Sequence, residues 1–274
     1  MKTYVINGWN RTVRHAGIIV LLFVYQFLWG FFLYRAIDGV LVPLLKRYPD
    51  PLAAKGAVEL FLVEAQFRIM KTDLLVPYGL ALAGLLAVRM LLTPFINAGL
   101  FHSLQHATKE RGTTFFAGIR AAWKRIALIY AAELALILAP LAWLLPLARR
   151  AFFDSAGWGD LLWAVLPAAA AWLGWCLLIR LVSLGMQFGA AAGDGMLPSL
   201  SVTIRSLPMA AAAALTVWAI GAATGLVSTA VSMIWAGLFA LILHQAQQFF
   251  RTWFKVWTFA AQYEAWQSKR QPAA

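Results

Sequence analysis

The feature that most limits what this chain can fold into is a series of apolar runs, each close to 20 residues long and separated by charged segments. They fall at about 16–34, 74–101, 126–148, 161–185, 209–227 and 229–246. A helix rising 1.5 Å per residue needs about 20 apolar residues to cross roughly 30 Å of hydrocarbon, whereas a barrel strand needs about ten in alternation. The expected fold class is therefore all-α: a polytopic membrane helix bundle of six transmembrane helices with amphipathic interfacial helices, forming a single membrane domain over 1–274. Composition agrees, since 62% of residues are hydrophobic and 12% charged, against about 25% charged in soluble domains.

The boundary between the last two spans is the least marked. Residues 209–245 read as a nearly continuous apolar stretch of 37 residues, about 55 Å as one helix and too long for one crossing. A tight turn near "GLVST", at Gly225 and Ser228, is the expected solution. The first run is longer than a signal-peptide core and lacks a small-residue cleavage site, so it is read as an uncleaved span.

Net charge is +12, from 23 Lys and Arg against 11 Asp and Glu. In a chain this apolar the excess belongs to loops and helix ends, where it sets topology and attracts anionic lipid. No nucleic-acid-binding motif accompanies it, and no nucleic-acid partner is expected. With Arg180 counted in a loop and Arg89 left in the membrane, fourteen basic residues fall on the side of the termini and eight on the other. The positive-inside rule then puts both termini in the cytoplasm, in a cytoplasmic (plasma) membrane.

Amphipathic stretches flank the spans. In "GAVELFLVEAQFRIMK", Leu60, Val63, Phe67 and Met70 recur at helical spacing and suit a helix in the outer interface. "TTFFAGIRAAWKRI" places Phe115, Ile119, Trp123 and Ile126 on one face, as in a cytoplasmic elbow leading into span three. Residues 247–268 suit an interfacial C-terminal helix. Phe250, Trp253, Phe254 and Trp257 would lie at the head groups while Arg251 and Lys255 reach phosphate or water. Anionic membrane lipids are the expected partners, with a protein partner at the cytoplasmic face as a further possibility.

A faint internal echo links "RGTTFFAGIRAAWKRIAL" before span three with "GDGMLPSLSVTIRSLPMAA" before span five. Both run from glycine to an Ile-Arg pair and then into small apolar residues. These elbows, the six spans and the closing "FAAQYEAWQSKR" resemble a group of uncharacterised bacterial integral membrane proteins related to the glycerophosphodiester phosphodiesterase membrane domain, from about residue 90 to 270. The resemblance implies a bacterial multi-pass fold. It carries over no catalytic residues, and the soluble phosphodiesterase domain has no counterpart here.

Chemistry-bearing motifs are few. The chain has no HExxH, Walker A loop, dinucleotide fingerprint or CxxCH, and no cofactor is implied. The single Cys176 reads as a buried structural thiol. His102 and His106, four apart, share a helical face, and His15 and His244 fall near the same boundary; such histidines are usually hydrogen-bonded or solvated, so no metal site is favoured. The sharper lead is Arg89, placed near mid-membrane. An arginine there costs about 2.5 to 3.5 kcal/mol unless it finds a partner. Glu133 is the one acid well inside an expected span, so an Arg89–Glu133 pair is expected, with Asn97 or carbonyls near Pro94 taking the remaining donors. Three classes follow: a non-enzymatic scaffold or regulatory subunit first, then a permease or lipid/small-molecule transporter with a site near Arg89 and Glu133, then a lipid-modifying enzyme.

Overall fold

The computed structural model describes residues 2–45, 75–106, 113–154, 158–235 and 237–270. The stretch expected to form an outer interfacial helix, 56–71, lies outside them. Every element among the described residues is helical: α1 (Lys2–Arg14), α2 (Ala16–Leu45), α3 (Leu75–Gln105), α4 (Thr113–Leu138), α5 (Leu141–Asp154), α6 (Trp158–Ala192), α7 (Met196–Ile234) and α8 (Leu238–Arg270). Five segments are long and apolar enough to cross a membrane: Ala16–Gly39, Gly79–Gln105, Thr114–Ala151, Leu162–Ala192 and Met196–Ile234. The chain is a multi-pass helical membrane protein.

Two compact units divide the chain. One comprises the described residues up to Val20 together with those from Pro94 onward; the other runs from Leu21 to Thr93. In the second unit, side chains such as Phe27, Phe31, Leu80 and Leu91 are exposed, as suits helices whose solvent is lipid rather than water.

The first unit has its core at one end of its helices. Phe101 of α3 meets Phe188 of α6 at 4.9 Å and Phe259 of α8 at 5.7 Å between ring centroids, both edge to face. Tyr263 and Trp266 of α8 extend the cluster from Phe188. Edge-to-face rings add about 0.5–1.5 kcal/mol per pair beyond the area they bury. Burial pushes the Tyr263 phenol above its ordinary pKa of 10.0, against the opposing pull of Arg11 and Arg270.

Small residues let the helices approach this closely. A Cβ on Gly185 or Gly189 of α6 would collide with Thr203 or Ser199 of α7. Across the α3–α4 hairpin, Gly99 receives the Phe115 ring and Gly118 abuts Ala98 and His102. The two sequence echoes thus open the second helix of two tight hairpins, each closed by glycine against a larger side chain, the usual device for close packing in membranes.

Several expectations are corrected. The turn at Gly225 and Ser228 is absent, and α7 continues to Ile234. Hydroxyls of Thr224, Thr229 and Ser232 bond back to carbonyls of their own helix, so these residues lose their turn-forming advantage. The break falls at Gly237, whose φ of 100° favours glycine. Neither elbow is a separate helix: each is the first turns of α4 or α7, and the Phe115–Ile126 stripe runs on without interruption to Glu133. The C-terminal segment is a different case: it was read as continuing the last apolar run, and α8 is one helix from Leu238 to Arg270.

The N-terminus, read from sequence only as polar and basic, folds as α1 and packs on α8. Gly8 lies so near Ala261 that a Cβ would come within 2.7 Å of its backbone nitrogen. Trp257 Nε1 donates to the Val5 carbonyl (2.9 Å), and Arg11 pairs with Glu264 (2.5 Å) and donates to the Leu104 carbonyl. The i, i+3, i+4, i+7 spacing of Val5, Gly8, Trp9 and Thr12 was the available signal, obscured because only a glycine and a threonine on that face are fully buried.

Candidate functional site

Five polar side chains from three helices meet inside the first unit. α4 carries its helical stripe of Phe115, Ala122, Ile126 and Ile129 into the core, and one further turn delivers Glu133 to the same buried face. α6 brings Arg180, Ser183 and Gln187, spaced i, i+3 and i+7 along one stripe. α3 contributes Asn97, three residues after Pro94.

Glu133 has both oxygens engaged. Arg180 Nη1 donates to Oε1 at 2.7 Å, and Ser183 Oγ and Gln187 Nε2 donate to Oε2 at 2.6 and 3.3 Å. Gln187 Nε2 also lies 3.0 Å from Ser183 Oγ, while its Oε1 accepts from Asn97 Nδ2 at 2.9 Å. The chain Asn97–Gln187–Glu133–Arg180 therefore joins α3, α6 and α4. A buried carboxylate is tolerable only when it is paired and its remaining lone pairs are occupied, and here both conditions hold. The pair is asymmetric: the Glu133 side chain is 2% exposed and that of Arg180 37%.

The expected partner of Glu133 is thus replaced. Arg180 occupies the place assigned to Arg89, and it does so from within the candidate span Leu162–Ala192 rather than from a loop. Arg89 belongs to the second unit, where it is exposed and its carbonyl accepts from Thr93 Oγ1 at 2.7 Å. Asn97 and Glu133 do reach one network, linked through Gln187. The missed signal was the Arg180–Ser183–Gln187 stripe, hidden because Arg180, although inside the 161–185 run, was counted with the loop that follows it: the helix continues to Ala192, so residue 180 lies some 18 Å before its end.

The histidines give a different picture. His102 and His106 have ring centroids 4.3 Å apart, and His106 Nδ1 sits 3.1 Å from the His102 carbonyl oxygen. No third His, Cys, Asp or Glu completes a metal-binding group among the described residues. His15 is buried at the α1–α2 junction. His244 falls in α8, with its side chain outside the described residues.

The aromatic face of α8 is only partly where an interfacial anchor would put it. Phe250 is exposed, as are Arg251 and Lys255. Trp257 is buried against α1, with Trp9 at 4.8 Å, and Trp253 lies 5.7 Å from the same ring. The tryptophans face protein because α1 covers them. Beside them α7 and α8 border an open groove of about 1120 Å³, lined mainly by apolar side chains and by Arg251 and Lys255.

These features define a class, an integral membrane protein with an internally paired polar network. No protein-family model, curated protein or solved structure matches the chain.

Proposed function

We propose that this chain is a non-enzymatic membrane scaffold or regulatory subunit. One observation carries the reading: the polar groups of the Glu133 network are spent on one another, with both Glu133 oxygens and both ends of the Gln187 amide engaged. Such a network fixes the register of three helices. The outward surfaces of the spans supply the second half of the reading, since Trp163, Leu173 and Leu177 of α6 are all exposed and offer apolar area to a neighbouring membrane protein. Photo-cross-linking residues placed at these three positions in native membranes are expected to yield one recurrent protein adduct. Lipid adducts alone at all three would defeat the scaffold reading.

A permease is the second reading, favoured by the open flank of Arg180 beside a buried carboxylate. It predicts anion flux in sealed vesicles that Glu133→Gln abolishes. Relation to the glycerophosphodiester phosphodiesterase membrane domain, and with it a bacterial cytoplasmic membrane, belongs to the same proposal; the two glycine-closed hairpins at the echoed segments support it.

The proposal includes an even number of crossings with both termini cytoplasmic. Packing of α1 on the C-terminal half of α8 supports termini on one face, and α8 has the length to supply the return crossing after Gly237. In a Cys176→Ser background, single cysteines at Thr3 and Ser268 are expected to label only after permeabilisation, and one at Ser232 in intact cells. Opposite accessibility of Thr3 and Ser268 would refute the arrangement.

A further inference from the structure

The groove between α7 and α8 lies within the first unit, away from the Glu133 network. One wall is the small-residue segment Gly221–Gly225 of α7, and the other is α8 from Leu243 to Thr258. Gly221 sits opposite Phe254, and Gly225 opposite Gln247, so the walls are antiparallel. From Val217 to Val231 the groove follows 14 residues of helix, about 21 Å. That exceeds the roughly 15 Å of one leaflet's hydrocarbon, half of a core about 30 Å thick.

Charge along the groove is one-sided. Arg251 and Lys255 line it, four apart on α8, and among the described residues no acidic side chain does. Both lie on the part of α8 leading toward the packed end, where Trp9 and Trp253 close the wall. An apolar trough of leaflet depth whose described lining carries two basic side chains and no acidic one is complementary to an amphiphile with an anionic head.

From this we infer that the α7–α8 groove is a binding site for an anionic phospholipid, one acyl chain lying along Gly221–Gly225 and the phosphate at Arg251 and Lys255. The assignment does not depend on the scaffold reading, because it concerns different residues and is measured without a protein partner.

The test uses the purified full chain in detergent, titrated with phosphatidylglycerol or with phosphatidylcholine of identical chains, and reads binding by native mass spectrometry. Wild-type protein is expected to prefer phosphatidylglycerol by about 30-fold, the effect of two basic residues near a lipid head group. Arg251→Gln with Lys255→Gln should bring the two lipids to within a few-fold of each other. Ala222→Trp, which fills the trough, should weaken both. Undiminished discrimination in the double glutamine variant would overturn the proposal, as would equal competition by glycerophosphate without acyl chains. A dimer that disulfide-cross-links through Gly225→Cys, and excludes lipid, would give the groove to a second copy and likewise overturn it. If Ala222→Trp fails to fold, the exposed charge pair decides alone.

Discussion

Arg180→Leu is expected to destabilise the protein by about 3–5 kcal/mol, the cost of stripping a buried carboxylate of its counter-charge. The loss should be read as a drop in unfolding free energy in mixed micelles, because Glu133 keeps only its bonds from Ser183 and Gln187. Adding Glu133→Leu should recover a large part of it: the double variant exchanges an ion pair for apolar packing, which is often neutral. The coupling between the two sites should reach about 2–3 kcal/mol, within the range for contacting residues. Arg89→Leu, in contrast, should couple to Glu133→Leu by no more than about 0.5 kcal/mol, the scatter of independent sites. Strong coupling of Glu133 to Arg89 and none to Arg180 would invert the assignment of the pair.

The second large effect concerns Gly8. Gly8→Ala adds one carbon at a point where the Ala261 backbone nitrogen and Cα lie 2.7 and 2.8 Å away. A flexible side chain could give way, but a helix backbone cannot. We therefore expect α1 to lift from α8, weakening the Trp9 contacts, the Trp257-to-Val5 hydrogen bond and the Arg11–Glu264 pair together. Overpacking alone costs about 1–3 kcal/mol, so amide exchange across residues 2–14 should accelerate by one to two orders of magnitude. Gly17→Ala is the matched control. Nothing lies within 4 Å of its added carbon, and in an exposed helical position it should be neutral or stabilise by up to about 1 kcal/mol. Equal exchange in the two variants would show that α1 does not depend on this contact.

Such contacts separate what a one-dimensional pattern can express from what it cannot. Run length, apolar content and the absence of strand alternation determine an all-helical membrane chain, because hydrocarbon leaves backbone groups no partners except those within a helix. The stripe from Phe115 to Ile126 was legible for the same reason: a 3.6-residue period depends on local geometry alone. Asn97 and Glu133 were also legible as groups that need a partner, since a polar group in an apolar run must be satisfied somewhere. Which partner satisfies it is a different matter. Depth counted along each helix favoured Arg89, but helix rotation and length bring Arg180 to Glu133, and α6 remains helical well past the point where its apolar run fades. The break at Gly237 rather than Gly225 has the same origin, because a threonine or serine can bond to its own helix as readily as it can begin a turn. The amphipathic tail showed two faces in sequence; only the tertiary structure decided that α1 covers one of them. Sequence by itself determined the medium and the periodicity, through local backbone chemistry. Tertiary structure decided the pairings, because they depend on how residues some 47 to 252 positions apart are brought together.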